Sequence, residues 1–469
     1  MAEAIHYSDF TIEDDTEYFL YVGELKNYGI NHFLAEALQR ILNRKFQFIA
    51  IVPDVFEQYN YENLIVINPV IRSYACRFGE NVNCRVSSRE FITAVSASKK
   101  VRALIRRLLR RQDHLYIHMY ESLPEMTLDE MENVSILGPD KQVANRLNNK
   151  IFQFEGLSGL LPTVDYKVCR GWVDLEEKTG GLWNEWADGV VISAEYSAAG
   201  VNSIVARNPG DMHARFQRRE DTYLVTRYIP HEFDPTVLAV VAGDGDVYIA
   251  GVADQRIADG TRFTGSVYPS RLPGLAVEKL KDYTRAVGEW MAGQGYRGIY
   301  GCDYLVAPDG DIRFLEINAR KQGTTLEFCC LMDQSLPSGA PNLPEMEYYA
   351  VTEGVLPVNA VEIKGNPATI YWGTYNYKIA DPVITADYIP HSVREREAFA
   401  RVAAGKLKKD FLILEHAGAD FIVAEGAFIG RIVALGHDYA SVEQGLRQGR
   451  RTIDLTISEN PVVDRRTVM

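Results

Sequence analysis

Asp303 and Glu316 stand on either side of a turn signal, Pro308-Asp309-Gly310, in the segment GIYGCDYLVAPDGDIRFLEINARKQ that runs from Gly298 to Gln322. If Asp309-Gly310 is a two-residue type I′ loop, counting outward along both strands places Asp303 directly opposite Glu316. Opposed side chains have Cβ atoms about 4.5–5.5 Å apart, and two like charges so placed destabilise a sheet unless something neutralises them. A divalent cation would do so. Hard oxygen ligands without His or Cys favour Mg²⁺ or Mn²⁺, and Mg²⁺ commonly takes one or two protein carboxylates together with substrate phosphates. The pair therefore reads as a nucleotide–metal site. Alternation along an extended strand would bring Glu316, Asn318, Arg320 and Gln322 out on one face. There Arg320 could stabilise a transferring phosphoryl group or a developing oxyanion. The plain alternative is the solvated side of an antiparallel sheet, with Arg320 in a salt bridge. Phe314, Leu315 and Ile317 make the strand too apolar for an idle edge.

With these residues in view the sequence resembles the ATP-grasp superfamily, in which an acidic residue on one strand is followed by E-x-N-x-R on the next. Glu316-Ile317-Asn318-Ala319-Arg320 matches that pattern. Its extension to Gln322 is similar to the biotin carboxylase version, and NARKQGTT looks closer to the peptide-ligase branch that includes pheganomycin-type ligases. The resemblance implies that Asp303, Glu316 and Asn318 hold the metal ions, and that Arg320 contacts the phosphoryl group or the substrate carboxylate. Upstream, Leu137-Gly138-Pro139, then Lys150, then Leu161-Pro162 resemble the family's entry to the nucleotide site, where the lysine contacts ATP phosphate. As a lone feature Lys150 would read as an exposed lysine at a helix end.

The run from Val190 to Ser203 resembles the family's lid hairpin, whose small-residue loop, here from Ser197 to Gly200, lets backbone N–H groups approach phosphate. The chain departs from the pattern at Ser193, where the family usually places a second phosphate-binding lysine; Arg207 and Arg227 are the candidate substitutes. Tyr223 to Pro230 resembles the strand that hydrogen-bonds adenine, with Thr226 in place of the usual glutamate. The implied nucleotide contacts are Lys150, Ser197, Gly200, Thr226, Arg227, Ile229 and Asp234. On the substrate side they are Asp254, Gln255, Arg256, Tyr268 and Gln322, although salt bridging would explain Asp254 and Arg256 equally well.

These residues need a framework, and the pattern of apolar runs supplies one. Runs at Tyr18–Val22, Phe46–Val52 and Leu64–Ile67, with a helical pattern at Asn31–Leu42, suggest an open α/β layer. A helix is expected over Arg89–Arg111, then strands at Leu115–Met119 and Val134–Leu137. Lys99, Lys100, Arg102, Arg106, Arg107, Arg110 and Arg111 make that helix basic, which is either a solvated face or a docking surface for an acidic partner. After Gly138 the pattern is strand-rich, with hairpin signals at Gly243-Asp244-Gly245 and Pro308-Asp309-Gly310. A last segment alternates at Ala368–Thr374, Phe411–Glu415 and Phe421–Val423. The expected fold is mixed α/β and α+β: an N-terminal open α/β domain over 1–137, an ATP-grasp core over 138–350 with a mobile lid at about 165–225, and a C-terminal α+β domain over 351–469.

The 469 residues exceed what one core usually organises, and 46% hydrophobic with 24% charged residues suits globular domains. A net charge of −13 argues against a nucleic-acid binder. Six cysteines without C-x-x-C spacing suit neither a zinc site nor a disulfide scaffold, and the N-terminal segment lacks signal-peptide character. A cytoplasmic protein with no membrane partner is expected. The resemblance implies ATP and Mg²⁺ (or Mn²⁺) as cofactors, small-molecule carboxylate and amine substrates, and a homodimer. Three readings follow. The first is a ligase that activates a carboxylate as an acyl-phosphate and forms an amide, the second a ligase loading an amino acid onto a carrier-protein thiol, and the third a nucleotide-binding protein without ligase activity.

Overall fold

The apolar run Thr16–Val22 pairs in parallel with Lys45–Val52, setting Leu20 beside Ile49 and Val22 beside Ile51. Leu20, Val22, Ile49, Ile51, Ile65 and Ile117 all enter one core with the helix residues Phe91, Val95, Leu104 and Leu108. Near-continuous burial of this kind is what a parallel sheet covered by helices requires. The computed structural model describes residues 6–8, 11–56, 61–78, 81–196, 203–215, 221–258, 260–367, 369–387, 389 and 394–457. They fall into two units, one of 1–137, 325–345 and 363–469, the other of 138–324 and 346–362.

In the first unit the sheet runs His6–Tyr7, Leu64–Val66, Lys45–Val52, Thr16–Val22, Leu115–Met119, Val134–Leu137, and all but the first strand are parallel to their neighbours. The expected single helix over 89–111 is two helices, Ser88–Ala97 and Lys99–Leu108. Ser98 leaves helical geometry and its side chain accepts from the Val101 N–H. A capping serine offers the backbone an alternative partner without disturbing the hydrophobic period, so periodicity alone runs straight through the break. Arg102 donates to the Ser96 carbonyl and to Thr127, and Arg111 donates to the Ile12 carbonyl and pairs with Asp14. Two of the basic residues are thus structural, whereas Lys99, Lys100, Arg106, Arg107 and Arg110 are exposed.

The C-terminal part of this unit is an antiparallel sheet ordered Tyr371–Lys378, Phe428–Gly436, Lys409–Leu414, with the helix Tyr439–Asp454 against it. Its first strand starts at Tyr371 rather than at 368, and residue 368 lies outside the described residues. Phe421–Val423 pairs in parallel with Val82–Asn83, and the Asn83 side chain donates to the Phe428 carbonyl. The two ends of the sequence therefore share this unit.

In the second unit five antiparallel strands follow the order Ile312–Asn318, Gly298–Val306, Pro235–Val241, Val247–Ala258, Arg262–Tyr268. The helix Gly274–Gly293 packs on them, and Thr284 is fixed to both Tyr300 and Tyr304 by hydrogen bonds of 2.8 and 2.9 Å. A second sheet, ordered Ser203–Ala206, Val190–Ala194, Thr222–Arg227, Tyr166–Arg170, has its own core of Trp172, Leu175, Ile192, Ile204 and Val225. Leu224 turns the other way, into the core of the five-stranded sheet. No described helix is long and apolar enough to cross a membrane.

Candidate active site

Asp303 does lie opposite Glu316, but the turn that sets the register differs from the expected one. The strands close at Val306 and Ile312, and the loop is the three-residue Pro308-Asp309-Gly310, with the Ala307 N–H donating to Asp311, the Gly310 N–H to Ala307, and Gly310 at φ +85°. Proline before Asp-Gly supports a three-residue loop ending in a left-handed glycine. That shifts the pairing by one residue, and a bulge between Asp303 and Tyr304 shifts it back. Bulges of this kind re-aim side chains next to active sites.

Thr236, Asn318, Gln322 and Gln255 meet Asp303, and Lys150 meets Glu316. The Thr236 hydroxyl donates to Asp303 Oδ1 at 2.7 Å, the Asn318 amide donates to Oδ2 at 2.8 Å, and the Gln322 amide reaches Oδ1 at 3.3 Å. Gln322 also donates to Thr236 at 3.0 Å. It occupies the space over Gly301, where an added Cβ would fall 2.0 Å from the Gln322 Cδ, so any side chain there would push Gln322 out of this place. Lys150 Nζ donates to Glu316 Oε2 at 2.9 Å.

The lysine is aimed by the segment around it. Gln153 exchanges two 2.8 Å hydrogen bonds with the backbone of Ile317, and Asn148 accepts from the Ala319 N–H at 2.9 Å. These side chains cover the open edge of the strand Ile312–Asn318, an edge that would otherwise present unpaired backbone groups. The Lys150 N–H in turn donates to the Glu195 carbonyl, and Asn149 caps the helix Lys150–Leu157.

Burial first, and the facing Glu316 carboxylate second, push the Asp303 carboxyl up to about 6. Two carboxylates with an adjacent amide and no nitrogen or sulfur donor fit a hard divalent cation. Among the described residues no three His, Cys, Asp or Glu are grouped as metal ligands. A cation here would complete its shell with water or phosphate, as Mg²⁺ commonly does. Because the folded Asp303 holds its proton more tightly than an ordinary aspartate, its contribution to stability is full below about pH 4 and is lost as pH rises through about 6. A cation relieves that loss and competes with the proton. Mg²⁺ is therefore expected to raise the Tm little near pH 5 and more by about pH 7.5, and Asp303→Asn should flatten this pH dependence; a uniform Mg²⁺ effect across that range would contradict it.

Arg320 is half-buried in the bend after Asn318, where the strand has ended, so the alternation expected to carry it onto the Glu316 face stops two residues short of it. The next residue, Lys321, is buried and ion-paired at 2.6 Å with the buried Glu347. Removing one partner of such a pair costs about 3–5 kcal/mol. Lys321→Met should lose stability on that scale in chemical denaturation, and Lys321→Met with Glu347→Leu should recover much of it.

The other expected contacts divide. Gln255 joins the cluster through a side-chain hydrogen bond to Asp303. Asp254 does not: its oxygens accept from the Ser270 hydroxyl at 2.6 Å and the Arg271 N–H at 2.8 Å, holding the turn after Tyr268. Arg256 shares its face of the strand, and Tyr268 is buried at the end of the neighbouring strand. Asp234 is held by His231 at 2.7 Å. Thr226 is buried in the four-stranded sheet, Arg227 at its end lies 3.5 Å from Asp165, and Ile229 packs on the core of the unit. Ser197 and Gly200 lie outside the described residues. Ser193 is buried and hydrogen-bonded at 2.9 Å to Ser203, so a neutral pair stands where a lysine was looked for.

Thr236, Asn148 and Gln153 were not singled out from sequence. Thr236 had one signal, a lone hydroxyl opening the apolar run Thr236–Val241, all of it buried.

No family model matches the chain. Over 120 residues, 25% of this chain, it is 29% identical to L-propargylglycine–L-glutamate ligase of Streptantibioticus cattleyicolor, and the match spans 24% of that relative's length. Solved structures match along nearly the whole chain. A biotin carboxylase from Campylobacter jejuni, crystallised as a β-γ-ATP complex, has a TM-score of 0.61 at 15% identity over 94% of this chain and 91% of its own. N5-carboxyaminoimidazole ribonucleotide synthetase from Thermotoga maritima has a TM-score of 0.55 at 15% identity, over 94% and 99%.

Proposed function

We propose that this chain, which carries the ATP-grasp fold, is an ATP-dependent ligase that activates a carboxylate as an acyl-phosphate and joins it to an amine, releasing ADP and phosphate. The observation that carries this reading is the convergence of Asp303, Glu316, Asn318 and Lys150 on one sheet face. Asp303, Glu316 and Asn318 would hold Mg²⁺, or Mn²⁺, which supplies charge neutralisation at phosphate oxygens. Phosphoryl transfer depends chiefly on positioning and on such neutralisation. Lys150 now balances Glu316; on nucleotide binding its ammonium is free to turn to phosphate, because the cation takes over that balance. Arg320, in the bend two residues past that strand, would contact the transferring group or the substrate carboxylate. A carboxylate oxygen attacks the γ-phosphorus and ADP leaves. The amine nitrogen then attacks the acyl carbon, the phosphate leaves, and the amine gives up a proton.

The nucleotide site would belong to the part of the expected 138–350 core that ends at Thr324, with the lid at about 165–225, in a cytoplasmic enzyme; residues 325–345 of that expected core belong to the first unit. An amine acceptor is favoured over a carrier thiol because the curated relative is named for joining propargylglycine to glutamate, and because Arg102 and Arg111 of the basic face are spent on structure. A binding protein without ligase activity draws support from the neutral Ser193–Ser203 pair and from Thr226, which stands where the family usually has glutamate.

Purified protein with ATP, Mg²⁺ and pooled amino acids and small acids should release ADP in an amino-acid-dependent manner. Release of AMP instead would replace acyl-phosphate chemistry by adenylation. ATP binding with no turnover in any pool would favour the binding-protein reading.

A further inference from the structure

A cavity of about 250 Å³ opens within the first unit; it is lined by well-separated stretches of that unit's sequence, and none of its residues is among those assigned above. Its size lies just below the roughly 300–1,000 Å³ of drug-sized sites, which points to a small ligand. The aromatic rings of Tyr28, Phe33 and Tyr61 form part of the wall. The charges on the rest of it are unevenly matched.

Three cations line the cavity. Lys26 is ion-paired with Glu24, and Arg396 with both Glu36 and Asp333. Arg394 has no ion pair among the described residues; its guanidinium donates to His32 Nε2 at 3.2 Å. His32 must accept that bond as a neutral imidazole, in keeping with burial and the Arg394 charge lowering it to about 4. Arg394 is thus an exposed cation on the cavity lining with no ion pair among the described residues.

The acidic side is the reverse. The Glu395 and Glu327 carboxylates share a single buried guanidinium, that of Arg431. Glu415, the third acid near it, makes no hydrogen bond or ion pair among the described residues, although it is only partly exposed and lines the cavity. Burial pushes its carboxyl up to about 8, with the Arg431 and Lys26 charges opposing, so an arriving ammonium must displace its proton. Its backbone is also held at φ +59°, directly after the strand Lys409–Leu414. A non-glycine residue in the left-handed region costs energy, and such residues persist where surrounding structure demands the side chain in one place, often at ligand sites.

Among the described residues, a carboxyl group and a guanidinium that each lack an ion pair, set on one small aromatic-walled cavity, complement a molecule that carries both charges on adjacent atoms. We propose that this cavity is a binding site for a free α-amino acid, its ammonium received by Glu415 and its carboxylate by Arg394. The assignment is independent of the ligase reading, since none of its residues belongs to the nucleotide–metal cluster.

Titration calorimetry on the full chain, with L-amino acids added singly, tests it. At least one should bind, and its decarboxylated amine and its α-hydroxy acid should each bind at least tenfold more weakly. Glu415→Gln and Arg394→Gln should each weaken binding at least tenfold, whereas Glu316→Gln should leave it unchanged. An analogue lacking either charge that binds as well as the amino acid overturns the proposal even if both variants fail to fold. So does binding that Glu316→Gln abolishes and the cavity variants leave intact, or the absence of binding by every amino acid up to millimolar concentration.

Discussion

Glu316→Gln is expected to lower kcat for ADP formation by about three orders of magnitude while the protein stays folded, because it withdraws the proposed cation ligand and the counter-charge of Lys150 together. Removing one preorganised electrostatic contact from a site of charge development typically costs 10²–10³ in kcat, about 3–4 kcal/mol, and here two are disturbed. The amide replaces the carboxylate with almost no change of shape, and Asp303 keeps Thr236, Asn318 and Gln322 around it. Relieved of like-charge repulsion, Asp303 should also titrate closer to an ordinary aspartate, since Glu316 is the second cause of its raised pKa. Steady-state kinetics beside a Tm measurement separates the outcomes. A variant that keeps a tenth or more of the parent kcat would remove Glu316 from the chemistry.

Lys150→Met is expected to reduce kcat by about 10²–10³-fold through a different route, and its effect on binding should distinguish the two. With the ammonium gone, Asp303 and Glu316 face each other with less compensation, so Mg²⁺ alone should bind at least as tightly as before. ATP, whose phosphates lose a cation, should bind more weakly. The pair of titrations is diagnostic, since a lysine serving only to balance Glu316 would leave ATP affinity unchanged once Mg²⁺ is present.

How far the sequence discloses the site can be judged from the hairpin. The Asp303–Glu316 pairing was legible because opposed acids on a turn-bounded pair of strands are unusual enough to need a reason. The route to it was wrong in detail. A three-residue loop displaced the register by one and a bulge restored it, and neither a bulge nor its position has a reliable signature in residue types. Similarly, the parallel layer near the N-terminus was visible in its apolar runs, whereas the break at Ser98 was hidden because a capping serine does not disturb helical period.

The remaining omissions share a cause. Thr236, Asn148 and Gln153 act across 67, 171 and 164 positions of sequence, on Asp303, Ala319 and Ile317. Polar residues that serve a distant backbone look like any others until the chain is folded. Asp254 shows the converse: it stood in the right region for a substrate contact, yet its oxygens are consumed by Ser270 and Arg271. The cavity in the first unit, which draws on Glu415 and Arg394 from the C-terminal part and Tyr28 and Phe33 from the N-terminal part, could not be assembled from spacing at all.

Acyl-phosphate formation leaves an atomic trace. With the acid that the pooled screen selects labelled with ¹⁸O in its carboxylate, turnover with ATP, Mg²⁺ and amine should deliver one ¹⁸O into each phosphate released, as read by mass spectrometry of that phosphate. Unlabelled phosphate, with the label retained in the acid or transferred to AMP, would contradict the mechanism built on Asp303, Glu316, Lys150 and Arg320.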